Sequence, residues 1–308
     1  MSDHRYLGLD LGGTYIKVGV IEAGSDGRPA SLVHSERVLT AAETGPDQVR
    51  DRLIDIGRGV ADLHGPISSV GLGVPGLFDP DTGVIELFPN LPGPWRGFSL
   101  RDPVGEGIGI KTSMINDARA FTLAEGTIGA GRYAAVMLGI TLGTGIGGGV
   151  MIDGRLHLGA FGTAGEFGHQ TVKPDGPVCG CGNRGCLEAV ARGGTISDEA
   201  GLPNVEAVYA AAAQGDDRAV EAIERASFYM AIAIANAVAL LGLDVVVLGG
   251  GIMSAGDLVL DPLRQAVSNR VTLVPTEQIR IVRAELGAMA GAIGAALAGK
   301  VQLEDRAL

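Results

Sequence analysis

Three cysteines, Cys179, Cys181 and Cys186, fall within eight positions of one another, and His169 lies ten residues before the first. Three thiolates and an imidazole make a tetrahedral Cys3His set, a common structural zinc site. Four protein ligands leave no open position for water, so the ion would shape a loop and leave chemistry to its neighbours. Those neighbours are Glu166, just ahead of His169, and Glu188, just past Cys186. The alternative is three small buried hydrophobes; tight clustering among Gly180, Gly182 and Gly185 argues against it. An odd cysteine count confined to one stretch excludes a disulfide framework.

Two glycine turns offer anion sites. Asp10-Leu11-Gly12-Gly13-Thr14 sets a carboxylate at a strand end, then glycine amides, then a hydroxyl, and Thr141 to Gly149 has the same character in the second half. Turn amides bind phosphate where unpaired N–H groups converge and no Cβ intrudes. One such hairpin is often only a turn; two at matching places, with Gly249-Gly250-Gly251 closing a later strand, carry more weight. Neither matches the Walker pattern GxxxxGK[ST] or a dinucleotide GxGxxG. Asn116-Asp117 ends a strand and opens a helix. Position alone favours capping, yet a carboxylate at the carboxyl end of a strand in an α/β protein stands where ligands bind.

The elements that must hold these groups follow from pattern. Tyr6 to Leu11 and Ile16 to Ile21 read as a hairpin, with a third strand over Leu32 to Leu39. After Gly45-Pro46-Asp47, the spacing of Val49, Leu53, Ile56, Val60 and Leu63 predicts a helix. A strand over Ile67 to Val74, another around Gly109 to Ile115 and a helix from Asp117 complete one α/β domain. In the second half, strands are expected at Tyr133 to Leu142, Gly148 to Ile152, Asp244 to Leu248 and Gln278 to Val282. Helices are expected at Val205 to Ala213, Asp217 to Leu241 and Ala290 to Ala298. No low-complexity linker separates the halves, which predicts a join through helices with a cleft between.

Composition narrows the function. Of 308 residues 50 are glycine, more than twice the roughly 7% usual, with no collagen period. The formal charge of −11 opposes a broad phosphate-backbone surface and disfavours nucleic acid as partner. No apolar signal core precedes the first strand, and the stretch from Phe228 to Leu243 is short for a membrane span and carries Asn236. The expectation is a cytoplasmic protein with no membrane partner.

Taken together, Asp10 to Thr14, Gly73-Val74-Pro75-Gly76, Pro89-Asn90-Leu91, Asn116-Asp117-Ala118, Thr141 to Gly149, Glu166-Phe167-Gly168-His169 and the run from Cys179 to Glu188 resemble the ROK family of bacterial sugar kinases and sugar-responsive repressors. Within it, the likeness is greatest to ATP-dependent glucokinases. The resemblance implies the actin-like ATPase (ribonuclease-H-like) fold, with residues 1–117 plus 290–308 forming a small α/β domain and 118–289 a large one carrying the zinc loop. It implies ATP, Mg²⁺ and structural Zn²⁺, transfer of the γ-phosphate to the 6-hydroxyl of glucose, and a homodimer or homotetramer. By matching position, Asp117 is the implied general base, and Asn90, Asn116, Asp117, Glu166, His169 and Glu188 the sugar-binding set. His169 would serve sugar and zinc together. Asp10 would help hold Mg²⁺, while Gly12, Gly13, Thr14, Lys17, Thr141, Gly143, Thr144 and Gly145 would surround the phosphates. Gly249, Gly250, Gly251 and Ile252 resemble the adenosine-binding turn. Lys17 reads equally well as a solvated strand residue.

Two departures stand out. Ala189 to Thr195 replaces the usual Ser-Gly step, and the stretch before Val205 reads as shortened, which bears on sugar contacts and on any family oligomer interface. Arg119 stands where the family often has Asn, at an expected exposed helix position. Alternatives within the family are N-acetylglucosamine or N-acetylmannosamine kinases, other hexose kinases and a polyphosphate donor. A repressor needs an N-terminal helix-turn-helix, and nine residues precede Asp10 here.

Overall fold

The computed structural model describes residues 4–24, 30–89 and 91–303. It divides into two compact units, Met1–Ile128 with Ala288–Leu308, and Gly129–Gly287. The first unit opens with β1 (Arg5–Leu11), β2 (Tyr15–Glu22) and β3 (Ser31–Leu39), followed by α1 (Pro46–His64) and β4 (Ile67–Val74). A small ribbon of β5 (Leu77–Phe78) and β6 (Ile85–Leu87) precedes α2 (Arg101–Ile108), β7 (Thr112–Asn116) and α3 (Asp117–Thr127). Its main sheet runs β3-β2-β1-β4-β7. The β1–β2 and β2–β3 pairs are antiparallel, whereas β1–β4 and β4–β7 are parallel. Central β1 is buried from Tyr6 to Leu11, the continuous burial expected of a strand covered on both faces.

Local chemistry explains the helix ends. Pro46 begins α1 with Asp47 in its first turn, where a missing N–H costs nothing and a carboxylate meets the positive end of the helix dipole. Val49, Leu53 and Val60 are buried, but Leu63, in the last turn, is 71% exposed. Helix α2 was hidden in the sequence because Pro103, Gly105 and Gly107 are poor helix formers. The strand expected from Gly109 starts at Thr112, since Gly109 ends α2 at φ +80°.

The second unit contains β8 (Val136–Leu142), β9 (Ile146–Ile152) and β10 (Arg155–Leu156), then α4 (Leu187–Ala191), α5 (Gly193–Ala200), α6 (Val205–Ala212) and α7 (Asp217–Leu241). It closes with β11 (Val245–Gly249), α8 (Asp257–Ser268) and β12 (Arg280–Arg283). The sheet order β10-β9-β8-β11-β12 repeats the plan of the first: an antiparallel meander, then two parallel strands. β8 begins at Val136, not Tyr133, whose ring is 87% exposed. The stretch that reads as shortened before Val205 holds α5. By length and composition α7 could cross a membrane, and half of that stretch is buried inside the protein.

The chain returns to the first unit as α9 (Ala290–Leu303). It packs on β1, β4 and α3, and a methyl group at Gly8, Gly71 or Gly294 would collide with the carbonyl oxygens of Ala292, Ala295 and Ala120 respectively. Glycine at those positions lets helix backbone meet its neighbours directly. Helix α3 packs on α9, and the first unit runs through Ile128 before the chain enters the second.

Candidate functional site

In the first unit, Asp10 is the penultimate residue of β1 and is buried. Its Oδ2 accepts a 2.9 Å hydrogen bond from Lys17 Nζ, the residue opposite it across the β1–β2 ladder. Lys17 is therefore an ion-pair partner and not a freely solvated strand residue. A methyl at Gly291, on the first turn of α9, would strike the same carboxylate. Local sequence pattern gave no sign that Gly291, 281 positions away, clears this space. The turn after Asp10 is fixed: Gly12 N–H donates to the Tyr15 carbonyl at 3.1 Å, and Thr40 Oγ1 donates to the Gly12 carbonyl at 2.7 Å. The Gly12 amide is thus consumed by the hairpin, leaving Gly13 and Thr14, whose amides meet no protein acceptor among the described residues.

Asn116 and Asp117 lie at the carboxyl end of β7. Asn116 Oδ1 accepts from the amides of Ala118 and Arg119, and its Nδ2 donates to the Gly76 carbonyl at 3.1 Å. Asn116 is the cap, and Asp117 follows as the first helical residue, exposed, with Oδ1 taking the Ala118 amide at 2.8 Å. Arg119 is only 6% exposed, correcting the expectation of an exposed position: α3 is covered on several sides, and residues Ala118 through Gly126 are all buried. Asn90 lies outside the described residues.

In the second unit, residues 143–145 turn β8 into β9, and Ile146 and Gly147, read with the turn from sequence, already pair with Leu142 and Thr141 on β8. Gly143 N–H donates to the Gly145 carbonyl at 3.0 Å, so here too the first glycine amide closes the turn. Gly249 ends buried β11, and Gly250 and Gly251 are exposed beyond it, ahead of buried Ile252. Thr141 is half-buried on β8 and Thr144 is exposed at the tip of the turn.

The ligand atoms of His169, Cys179, Cys181 and Cys186 all lie within 4.8 Å of one another. Cys181 and Cys186 sulfurs are 3.7 Å apart, as are Cys179 Sγ and His169 Nδ1. For Zn–S near 2.3 Å, a tetrahedron has edges of about 3.7 Å, so the donor set fits a zinc ion. Burial pushes the Cys179 thiol up, and burial with the neighbouring thiols pushes Cys186 up to about 12. The Asn183 backbone amide holds Cys181 down. An ion bound there would displace the remaining thiol protons and supply structural cross-linking. His169 Nδ1 is the ring nitrogen on the cluster, and its Nε2 lies 4.0 Å from Glu166 Oε2; an ion held by Nδ1 would leave Nε2 to carry the ring proton. Glu188 faces the other way: its Oε2 accepts from Ile146 N–H at 2.9 Å.

Of the residues singled out from sequence, the structure brings Asp10, Lys17 and the Gly12–Thr14 turn together in the first unit, and groups Glu166, His169, Glu188, the thiols and the Gly143–Gly147 turn in the second. Two sheets of one plan, each with a glycine turn in its first hairpin, define the ribonuclease-H-like duplication of the actin-like ATPases. Within that class the chain belongs to the ROK family, whose defining pattern matches residues 6–300. It is 35% identical to a glucokinase of Thermotoga maritima over 96% of this chain and 97% of that protein. It is similar to the ROK hexokinase from Thermus thermophilus (TM-score 0.83, 35% identity, covering 98% and 99% of the two chains). A ROK glucokinase from Streptomyces griseus, solved with glucose and AMPPNP, gives a TM-score of 0.79 at 30% identity over 96% and 99%.

Proposed function

We infer that the protein is an ATP-dependent hexose kinase, with glucose as the preferred acceptor and its 6-hydroxyl as the nucleophile. The observation that carries this reading is the division of labour at the end of β7. Asn116 caps α3, and beside it Asp117, exposed at the carboxyl end of β7 with one oxygen on the Ala118 amide, is the carboxylate we assign to the reaction. Asp117 accepts the proton of the sugar hydroxyl as the oxygen attacks the γ-phosphorus, and ADP leaves with the electrons of the broken P–O bond. Such transfer depends chiefly on positioning and charge neutralisation. Mg²⁺, bound with help from Asp10, would neutralise phosphate charge; Lys17, next to Asp10, adds a fixed cation. We assign the amides of Gly13, Thr14, Thr144 and Gly145 to phosphate binding and Gly249 to Ile252 to adenosine binding. Asn90, Asn116, Glu166, His169 and Glu188 hold the sugar, with His169 Nε2–H donating on the side away from the thiols.

The test is a panel of hexoses and N-acetylhexosamines with ATP, read by coupled ADP release. Glucose is expected to give the highest kcat/KM. A preference for N-acetylmannosamine or N-acetylglucosamine would move the assignment within the family, and flat signals throughout would sink the kinase reading.

A further inference from the structure

Two contacts connect the thiol cluster with the Gly143–Gly147 turn, and both lie on the segment leaving Cys186. Cys186 is fully buried, bridges Thr171 and passes directly into α4. There Glu188 accepts from Ile146 N–H through one carboxylate oxygen at 2.9 Å, while its other oxygen lies 3.9 Å from Cys179 Sγ. At the start of α5, Gly193 N–H donates to the Gly143 carbonyl at 3.1 Å. A methyl at Gly145 would strike Glu188 Oε2, so turn and carboxylate are packed without slack. Hydrogen bonds from backbone N–H to a carboxylate are charge-assisted and stronger than neutral ones.

Resting on the reading of this turn as a nucleotide phosphate site, we propose that Glu188 is a positioning residue for the turn, through which the Cys3His cluster fixes the turn's shape. A carboxylate that only touched sugar would affect sugar affinity and leave nucleotide affinity unmoved. One that holds Ile146 N–H sets the direction of the amides on either side of it, and so acts on the nucleotide with no sugar present.

The experiment is calorimetric binding of a non-hydrolysable ATP analogue with Mg²⁺, without sugar, to zinc-loaded wild type, Glu188→Gln and Glu188→Ala, with zinc measured on each. Glu188→Gln keeps an acceptor oxygen for Ile146 N–H and should bind within about threefold of wild type. Glu188→Ala should bind about tenfold more weakly while retaining zinc. Equal affinity in zinc-retaining Glu188→Ala overturns the proposal; a wild type that binds no analogue overturns instead the nucleotide reading beneath it. Should Glu188→Ala not fold, hydrogen exchange in the wild type decides: chelating the zinc should accelerate exchange at Ile146, and unchanged protection there overturns the link.

Discussion

Asn116 and Asp117 are adjacent, both polar and both able to cap, yet the structure gives them different work. Asn116 spends both side-chain atoms on the α3 cap and on Gly76, so α3 keeps a side-chain cap when Asp117 and its share of the Ala118 amide are removed. Replacing Asp117 by Ala should cut turnover by about 10²- to 10⁴-fold, while thermal unfolding shifts only by what the lost bond from the Ala118 amide contributes, about 1 kcal/mol. Steady-state kinetics beside a thermal melt checks this, and a variant within tenfold of wild type in kcat would remove the base assignment. A second residue contributes to the pH response of stability. His64 ends α1 with its ring 4.4 Å from that of His34, and burial first, then His34 and Arg5, push its imidazole below the ordinary value. Folded His64 takes up its proton at a lower pH than the unfolded chain, which does so near pH 6.5. Its contribution is intact above that pH and is lost as pH falls below it. The drop in melting temperature between about pH 7.5 and about pH 5.5 should be shallower in His64→Gln than in wild type; identical slopes would count against this role.

Among the elements, α9 carries the sharpest consequence of packing. Its backbone lies so near β1 that an added methyl at Gly8 meets the Ala292 carbonyl oxygen, which cannot move without shifting the helix. Gly8→Ala should cost about 3 kcal/mol or more. Gly59, in the exposed interior of α1, has open space where its Cβ would be, and Gly59→Ala should stabilise by about 0.5–1 kcal/mol. Urea unfolding of the two variants reads both signs, and a neutral Gly8→Ala would mean that α9 does not sit as tightly as described. Sequence periodicity found α1, α6 and α7 because their apolar positions repeat locally. It missed α2, α4, α5 and α8 and gave no reason for the glycines under α9, since those glycines depend on a helix from the far end of the chain.

Across the whole molecule, the second unit is one continuous segment, Gly129–Gly287, inserted into a first unit that needs both ends of the chain. It holds its own sheet, a separate apolar core that includes Leu138, Ile234 and Val246, and all four Cys3His ligands. Residues 129–287 expressed alone are expected to fold cooperatively and bind one equivalent of zinc. A chain truncated after Gly287 should lose the first unit, because β1 and β4 would lack α9. Near-UV circular dichroism with metal analysis tests both, and a zinc-free, non-cooperative fragment would show that the insertion depends on its host.

By itself the sequence determined the strands and turns with strong local signatures, the Cys3His donor set, and the glycine turns after Asp10 and Thr141. These are legible because hydrophobic periodicity, turn chemistry and ligand spacing act over a few residues. Tertiary structure alone decided which amides of those turns are consumed, that Arg119 is buried, and that Glu188 reaches the Ile146 amide. It also gave a reason for part of the glycine excess that motifs leave unexplained: Gly8, Gly71, Gly291 and Gly294 are small because a helix or a carboxylate presses against them. Such contacts join residues as far apart as Gly8 and Ala292, and their steric demand exists only once α9 has crossed the sheet.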